Sequence, residues 1–343
     1  IQSHNTALNL DPENVATKFY LSLSLLGSGD YTRGLPLFDY RLVHDVESVG
    51  TRFFPPPFWD GSNLQGQKIL IWGEQGLGDE ISFSSMVPDL VSLSAHCTLE
   101  CEPRLVDLFA RSFPETQVRA RPYTEAENGT DEFDFQLPTG SLFAQFRNSI
   151  TDFPDRKGFL VVDAERKEKW QGRLSALGSG LKVGISWRSG VWFDSRGQCY
   201  ADITDLEPLF SLKNVVFINL QYDDCTDELS EIQKLYGITL HTWDDIDMKN
   251  DLDDATALIS CLDVVITCQN AVYSLSCGAG LITFAFGLRF RDWDSLGTDG
   301  VPYYPTARLF ERHIGESWGR VFSEITDQTY KMAEDKYLKK RVN

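Results

Sequence analysis

The chain has 343 residues, a length that predicts two domains with room for a smaller third unit. Its composition, 42% hydrophobic and 24% charged, is ordinary for a globular protein and excludes a disordered, collagenous or coiled-coil chain. Acidic residues outnumber basic ones by 50 to 32, a formal charge of −18, so binding to nucleic acid or to anionic lipid is not expected. A local basic pocket for one small anionic ligand stays compatible with that charge.

Seven scattered cysteines lack zinc-ligand spacing and predict free thiols in a reducing compartment. The polar opening IQSHNTALNL does not resemble a secretory signal. The charge-free stretch Val264–Leu288 is long enough to cross a bilayer. Because Gln269, Asn270 and several glycines interrupt it, we expect a strand, a loop, a helix and a second strand instead of a membrane span.

Residues 5–44 predict a helical hairpin that begins after Asp11-Pro12 and is broken by a Gly-Ser-Gly-Asp turn at 27–30. The segment resembles one tetratricopeptide repeat, NLDPENVATKFYLSLSLLGSGDYTRGLPLFDYRL, of about one 34-residue period. We assign residues 1–49 to this unit. A lone repeat cannot bury its own apolar face, so we expect it to pack on the next domain or to belong to an array.

A proline-rich linker at 50–66 precedes alternating strands and helices, a pattern typical of doubly wound α/β domains. We predict an N-terminal Rossmann-like domain at 67–165, a C-terminal one at 166–325 and a helix or tail at 326–343. The predicted strands are KILIWG, HCTLEC, QVRA, FDFQLP, LKVGISW, VVFINLQY, ITLHTW, DVVIT and LITFAF. Ligands bind beyond the carboxyl ends of parallel strands, so the loops after residues 73, 187, 221 and 267 are candidate sites.

The first candidate motif is WGEQGLGDE, between a strand and a helix. Its glycines do not follow the dinucleotide fingerprint, and no P-loop lysine is present. Gly76 and Gly78 would still leave backbone N–H groups open to an anion, and Asp79 would be stabilised as a carboxylate at the helix N-terminus. The alternative is a tight turn in which Asp79 caps the helix.

The second motif, SWRSGVWFDSRGQCY, places Arg188 and Arg196 on a loop after a strand. Their guanidinium groups suit a diphosphate, but they could equally pair with local acids. The third motif has Gln269, Asn270 and Ser274 at the start of a helix of small residues, where phosphate could approach. The alternative for it is a buried crossover helix.

The acidic run WDDIDMKNDLDD could hold Mg²⁺ or Mn²⁺, but we expect a solvated loop and helix start. The five histidines are isolated, and we expect each to be structural.

These segments in their order resemble bacterial tetratricopeptide-repeat proteins with a C-terminal glycosyltransferase domain. That domain is similar to the ADP-heptose:lipopolysaccharide heptosyltransferases, glycosyltransferase family nine, which have the GT-B fold. The resemblance spans about residues 5–325 and is carried by PPFWDGSNLQGQKILIWGEQGLGDEISFSSMVPDL, VGISWRSG, INLQYDDCTDEL, DLDDATALISCLDVVIT and VPYYPTARLF. It implies two Rossmann-like domains facing a cleft, with no metal and no cofactor besides the donor.

The resemblance also implies roles for individual residues. Asp79, in the Gly-Asp pair, matches the proposed base, and Arg188 with Arg196 would contact the donor diphosphate. The other residues expected on the donor nucleotide-sugar are Gly76, Gly78, Gln221, Gln269, Asn270 and Ser274. The acidic residue and the histidine that relatives show after the DVVIT-like strand are absent here.

The sequence therefore predicts an inverting, metal-independent glycosyltransferase of the bacterial cytoplasm. It would move a sugar from a nucleotide-sugar to a hydroxyl of a protein or glycan, with the tetratricopeptide unit available to a protein partner. One alternative is a catalytically inactive binding or scaffold protein of the same fold. A more distant one is a nucleotide-sugar 2-epimerase.

Overall fold

The computed structural model describes residues 1–44, 54–93, 96–121, 132–190, 197–289 and 293–342. The chain divides into two compact units. The first is Ile1–Phe159 with Arg291–Pro305, and the second is Leu160–Phe290 with Thr306–Asn343. The predicted boundaries at 49, 66 and 165 stay predictions, and the predicted linker at 50–66 falls partly outside the described residues.

The first unit contains eight helices among its described residues and one parallel sheet in the order β3-β2-β1-β4. Its helices are α1 Gln2–Leu10, α2 Val15–Leu26, α3 Tyr31–Phe38, α4 Arg41–His44, α5 Leu77–Ser84, α6 Val87–Val91, α7 Val106–Ser112 and α8 Leu142–Phe146. Its strands are β1 Lys68–Trp72, β2 His96–Cys101, β3 Gln117–Ala120 and β4 Phe135–Pro138. A 3-10 turn at Thr139–Ser141 follows β4.

The N-terminal helices begin and pack for local reasons. Asn14 accepts a hydrogen bond from the Thr17 amide (2.9 Å) and so caps α2. The Ser22 hydroxyl donates to the Gly34 carbonyl (2.9 Å), which fixes α2 against α3. Leu21, Leu25 and Leu26 of α2 are buried. These helices occupy the segment of the expected hairpin, and their identity as a tetratricopeptide repeat stays a prediction.

The second unit has a six-stranded parallel sheet in the order β10-β9-β8-β5-β6-β7. Its strands are β5 Leu181–Ser186, β6 Val215–Asn219, β7 Leu240–His241, β8 Val264–Cys268, β9 Thr283–Leu288 and β10 Ala307–Arg312. Its helices in the described residues are α9 Ala164–Ala176, α10 Glu207–Phe210, α11 Thr226–Tyr236, α12 Leu252–Ser260, α13 Ala271–Gly278 and α14 Gly319–Val342. Residues 203–206 form a 3-10 turn before α10.

In the second unit, the sequence pattern predicts one region correctly and misses a strand in another. The expected strand, loop, helix and strand within Val264–Leu288 are confirmed as β8, α13 and β9. Edge strand β10 has no counterpart among the predicted strands. It pairs with β9 only after the intervening residues have contributed Arg291–Pro305 to the first unit. Because β9 and β10 pair across this intervening segment, neighbouring residues in the sequence do not indicate that they pair.

Within the described residues, no helix is both long and apolar enough to cross a bilayer. The seven cysteines, all among those residues, are free thiols, as predicted. Burial raises the pKa of Cys97 to about 12, which keeps that thiol protonated and unreactive at neutral pH.

Candidate functional site

The second sheet reverses its direction of winding at β5. From β5 the chain moves to β6 and β7 on one side, and β8 later pairs on the other side of β5. Loops that leave β5 and β8 therefore diverge at their carboxyl ends, next to the paired residues Ser186 and Thr267. This topological switch point is where open α/β sheets bind ligands.

Gln221, which follows β6, holds the loop after β5. Its side-chain oxygen accepts from the backbone amides of Trp187 (3.2 Å) and Arg188 (3.3 Å). Its amide nitrogen donates to the Arg188 carbonyl (3.0 Å). Gln221 is only 4% exposed, so these bonds are shielded from water and define the path of the loop.

Asn270 joins the same loop from the opposite side. Its side-chain oxygen accepts from the amides of Val272 (3.0 Å) and Tyr273 (3.3 Å) and so caps α13. Its nitrogen donates to the Ser186 hydroxyl (2.9 Å) and to the Arg188 carbonyl (3.2 Å). The carboxyl ends of β5, β6 and β8 thus share one hydrogen-bonded group, the strand-end network, made of Ser186, Arg188, Gln221 and Asn270.

The Arg188 side chain already has carboxylate partners in this structure. Its Nε and Nη2 donate to the two oxygens of Glu228 at 2.9 and 2.7 Å, and Nη2 also donates to the Asp224 carbonyl (2.8 Å). Asp223 lies 3.7 Å from Nη1. Of the two interpretations of this arginine, the structure shows the pairing with local acids, and a diphosphate would have to compete with Glu228.

Glu228 is a site residue that no motif in the sequence indicated. Its Oε1 also accepts from the Trp187 indole N–H (2.7 Å). Burial alone would raise the pKa of Glu228, but the hydrogen bonds from Arg188 and Trp187 outweigh it, and the net pKa is lowered. In the sequence Glu228 stood out only as an acid in the first turn of α11, because forty residues, including α10 and β6, separate it from Arg188.

The other predicted donor residues of the second unit are not members of the strand-end network. Gln269 is exposed directly after β8. Ser274 is buried in α13, where its amide donates to the Asn270 carbonyl (3.4 Å). Arg196 lies outside the described residues. The structure therefore brings together Arg188, Gln221 and Asn270 of the predicted set.

In the first unit, the Gly-rich loop follows β1 at an equivalent switch point, since β2 and β4 flank β1. Gly76 is the N-cap of α5, and its amide donates to Asp79 Oδ2 (3.1 Å). Gly78 lies in the first turn of that helix. Asp79 thus helps to cap the N-terminus of α5, which agrees with the alternative interpretation of this motif. Its side chain is half-buried.

Gly73 has a packing role in the same loop. A Cβ at this position would lie 2.5 Å from Cδ of Glu80, which is 2% exposed. Glu80 accepts from the Glu102 amide (2.7 Å) and forms an ion pair with Arg121. The backbone of the loop therefore lies directly on a buried, fixed carboxylate that only a glycine accommodates.

The acidic run at 243–254 is engaged in pairing with α9. Asp245 receives a two-pronged bond from Arg173 (2.7 and 2.6 Å), and Asp251 both pairs with Arg166 (2.7 Å) and caps α12. Asp254 accepts from the Trp170 indole (2.8 Å). In the described part of the chain, no group of three or more His, Cys, Asp or Glu residues is arranged to hold a metal ion.

No protein-family model matches the chain. It is 32% identical over 337 residues to protein FlbA of Caulobacter vibrioides, an alignment that covers 92% of this chain and 56% of that protein. The chain thus spans about half the length of this curated relative.

Two solved structures are similar in fold. Escherichia coli ADP-heptose lps heptosyltransferase II gives a TM-score of 0.54 at 13% identity, covering 80% of this chain and 99% of that one. A glycosyl transferase family 9 protein from Veillonella parvula DSM 2008 gives 0.56 at 13% identity, covering 81% and 99%. The predicted mixed α/β fold with parallel sheets, like that of the family-nine heptosyltransferases, is confirmed.

Proposed function

We propose that the chain is a glycosyltransferase that uses a nucleotide-sugar donor. The observation that carries the proposal is the position of the strand-end network, which lies at the switch point of the second sheet. The fold around it is shared with the two similar glycosyltransferase structures over about four fifths of the chain. A fold of this class places ligands at that edge of the sheet. One of the two similar structures is that of an ADP-heptose heptosyltransferase, which supports a diphosphate-linked sugar as the donor class.

In the second unit, the donor would lie against the loop after β5 and the start of α13. Arg188 is a cation on that loop, and it would stabilise the charge that develops on the leaving diphosphate. The Asn270 cap holds the first turn of α13 in place, and the dipole of that helix favours an anion near its N-terminus. Gln269, Ser274 and Arg196 stay proposed donor contacts on the basis of the family resemblance.

Asp79 of the first unit is the proposed base. Its carboxylate would take the proton from an acceptor hydroxyl while that oxygen attacks the anomeric carbon and the bond to the diphosphate breaks. One displacement of this kind inverts the anomeric centre. The half-buried carboxylate at a helix N-terminus would be kept ionised by the helix dipole, with Gly76 holding one of its oxygens. The proposed acceptor is a hydroxyl of a protein or glycan.

Two measurements test the proposal. Thermal unfolding with UDP, GDP, ADP, CMP and dTDP should show a higher Tm with one nucleotide, and a lack of effect with all five overturns it. With the matching donor, Asp79→Asn should abolish transfer and leave nucleotide binding intact. Asp107→Asn, an exposed acid in the first turn of α7, is the matched control and should transfer normally. Retained turnover in Asp79→Asn would refute the base.

A second candidate is a binding or scaffold protein without activity. The observation that favours it is the occupied Arg188 guanidinium, which Glu228 engages with both oxygens. Loss of the acidic residue and histidine after β8 points the same way. This candidate predicts that a nucleotide binds without turnover, or that none binds, so the two measurements above separate it from the transferase.

A further inference from the structure

A buried arginine connects the N-terminal helices to the Gly-rich loop of the first unit. Arg41, at the start of α4, is 0% exposed. Its Nε and Nη2 donate to the two oxygens of Glu74 at 2.9 and 2.6 Å, and Glu74 is also 0% exposed. The side chains of Asp39 (2.6 Å) and Ser141 (2.9 Å) also accept from the guanidinium nitrogens. We name these four residues the Arg41 cluster.

The cluster fixes Glu74 from every side. Besides Arg41, its Oε1 accepts from the Gly140 amide (2.9 Å), which belongs to the 3-10 turn after β4. A Cβ on Gly140 would lie 2.8 Å from that oxygen, so this close approach requires glycine. The Phe38 ring packs on the guanidinium, 4.4 Å from its carbon to the ring centroid. An unpaired buried charge is costly, so Glu74 is held in the position where these bonds form.

Glu74 in turn fixes the loop that leads into α5, the helix that carries Asp79. The next residue, Gln75, has a positive φ of 61°, a conformation that non-glycine residues adopt only when neighbouring contacts impose it. Gly76 follows, and its amide donates to Asp79 Oδ2 (3.1 Å). A continuous path of hydrogen bonds and loop backbone therefore connects Arg41 to the Asp79 carboxylate.

We propose that Arg41 is a positioning residue that, through Glu74, holds loop 73–76 and orients Asp79 for proton removal. The proposal rests on the proposed transferase function. It makes α4 a part of the structure that prepares the base, in addition to any partner that the N-terminal helices bind. Arg41 touches neither donor nor acceptor in this scheme, and its effect reaches the reaction only through the loop.

The test uses a variant designed to stay folded. Arg41→Met/Glu74→Met replaces both charges with apolar side chains, a change that proteins often tolerate without loss of stability. Arg41→Lys keeps the charge but loses the fork, so it is a second, milder variant. Arg33→Met is the matched control, because Arg33 is an exposed arginine on the neighbouring α3 that pairs only with Asp30 among its described contacts.

The first readout is hydrogen exchange of the peptide covering residues 73–84, which needs no donor. In the double variant, this peptide should exchange at least tenfold faster, while peptides of the second unit exchange as they do in the wild type. Arg33→Met should leave the peptide unchanged. Unchanged exchange in both a folded double variant and Arg41→Lys overturns the proposal, because Arg41 then does not hold the loop.

The second readout separates positioning from packing. With a working donor, kcat should fall at least tenfold in the folded double variant, whereas the KM for the donor should change much less than kcat, because most of the proposed donor contacts lie in the second unit. Arg41→Lys should recover part of kcat. Wild-type kcat in the double variant overturns the proposal. A wild-type protein without any donor binding refutes the proposed function instead, and exchange alone then decides whether Arg41 orders the loop.

Discussion

Asn270 offers a direct test of the strand-end network, because its side chain does two separable things. Its oxygen caps α13 and also accepts from the Thr267 hydroxyl (3.2 Å), and its nitrogen donates to Ser186 and to the Arg188 carbonyl. Asn270→Ser keeps a residue that caps helices well but is too short to reach β5. Asn270→Ala removes both functions.

The two variants should lose different amounts of unfolding free energy, because only Asn270→Ala also removes the helix cap. Each of the two donated bonds contributes about 1 kcal/mol to the free energy of unfolding, so Asn270→Ser should lower it by about 2 kcal/mol. A lost N-cap costs about 1 kcal/mol more, so Asn270→Ala should lower it by about 3 kcal/mol. The control is Asn250, an exposed asparagine that donates to Asp247 (2.9 Å). Asn250→Ala should change the free energy of unfolding by less than about 0.5 kcal/mol.

Urea unfolding, followed by circular dichroism and tryptophan fluorescence, measures these differences if the slope m is the same in all variants. Equal losses for Asn270→Ser and Asn270→Ala would refute the capping contribution. A Ser variant as stable as the wild type would refute the claim that the amide nitrogen fastens the loop after β5.

Two further predictions concern charges and packing at the strand ends. Glu228→Gln should raise the affinity for the matching nucleoside diphosphate about tenfold in calorimetry, because Arg188 loses the anion that competes with the diphosphate. The control is Asp227→Asn, a change at the exposed neighbouring acid that should leave the affinity unchanged. An unchanged affinity in Glu228→Gln would contradict the proposed competition. Because hydrogen bonds from Arg188 and Trp187 lower the folded-state pKa of Glu228, its contribution to stability is present above the ordinary pKa of a glutamate. That contribution is lost as pH falls through the lowered folded-state value, a loss that the Gln variant should lack. Gly73→Ala should lower the free energy of unfolding, measured in urea, by about 1–3 kcal/mol, because the added Cβ would collide with the Glu80 side chain. Wild-type stability in this variant would show that the loop or Glu80 can move aside at no cost.

The sequence by itself determined most of the elements and their class. Apolar runs such as those of β1, β5 and β8 predicted buried parallel strands, and the structure buries them. The Asp11-Pro12 segment predicted a helix start close by, and the structure begins α2 at Val15, with Asn14 as its cap. These signals are local: side-chain periodicity and capping chemistry are contained within one element, so they can be read without knowing what it packs against.

Only the tertiary structure decided which charges meet. The sequence showed Arg188 as a cation in an acidic chain, but not that Glu228, forty residues later, engages its fork. It contained no sign that Arg41 would pair with Glu74, thirty-three residues away and fully buried. With 50 acids for 32 bases, the sequence allows many pairings, and burial selects among them because an unpaired buried charge costs several kcal/mol. Which cation stays available to a ligand is therefore set by the fold and not by the net charge.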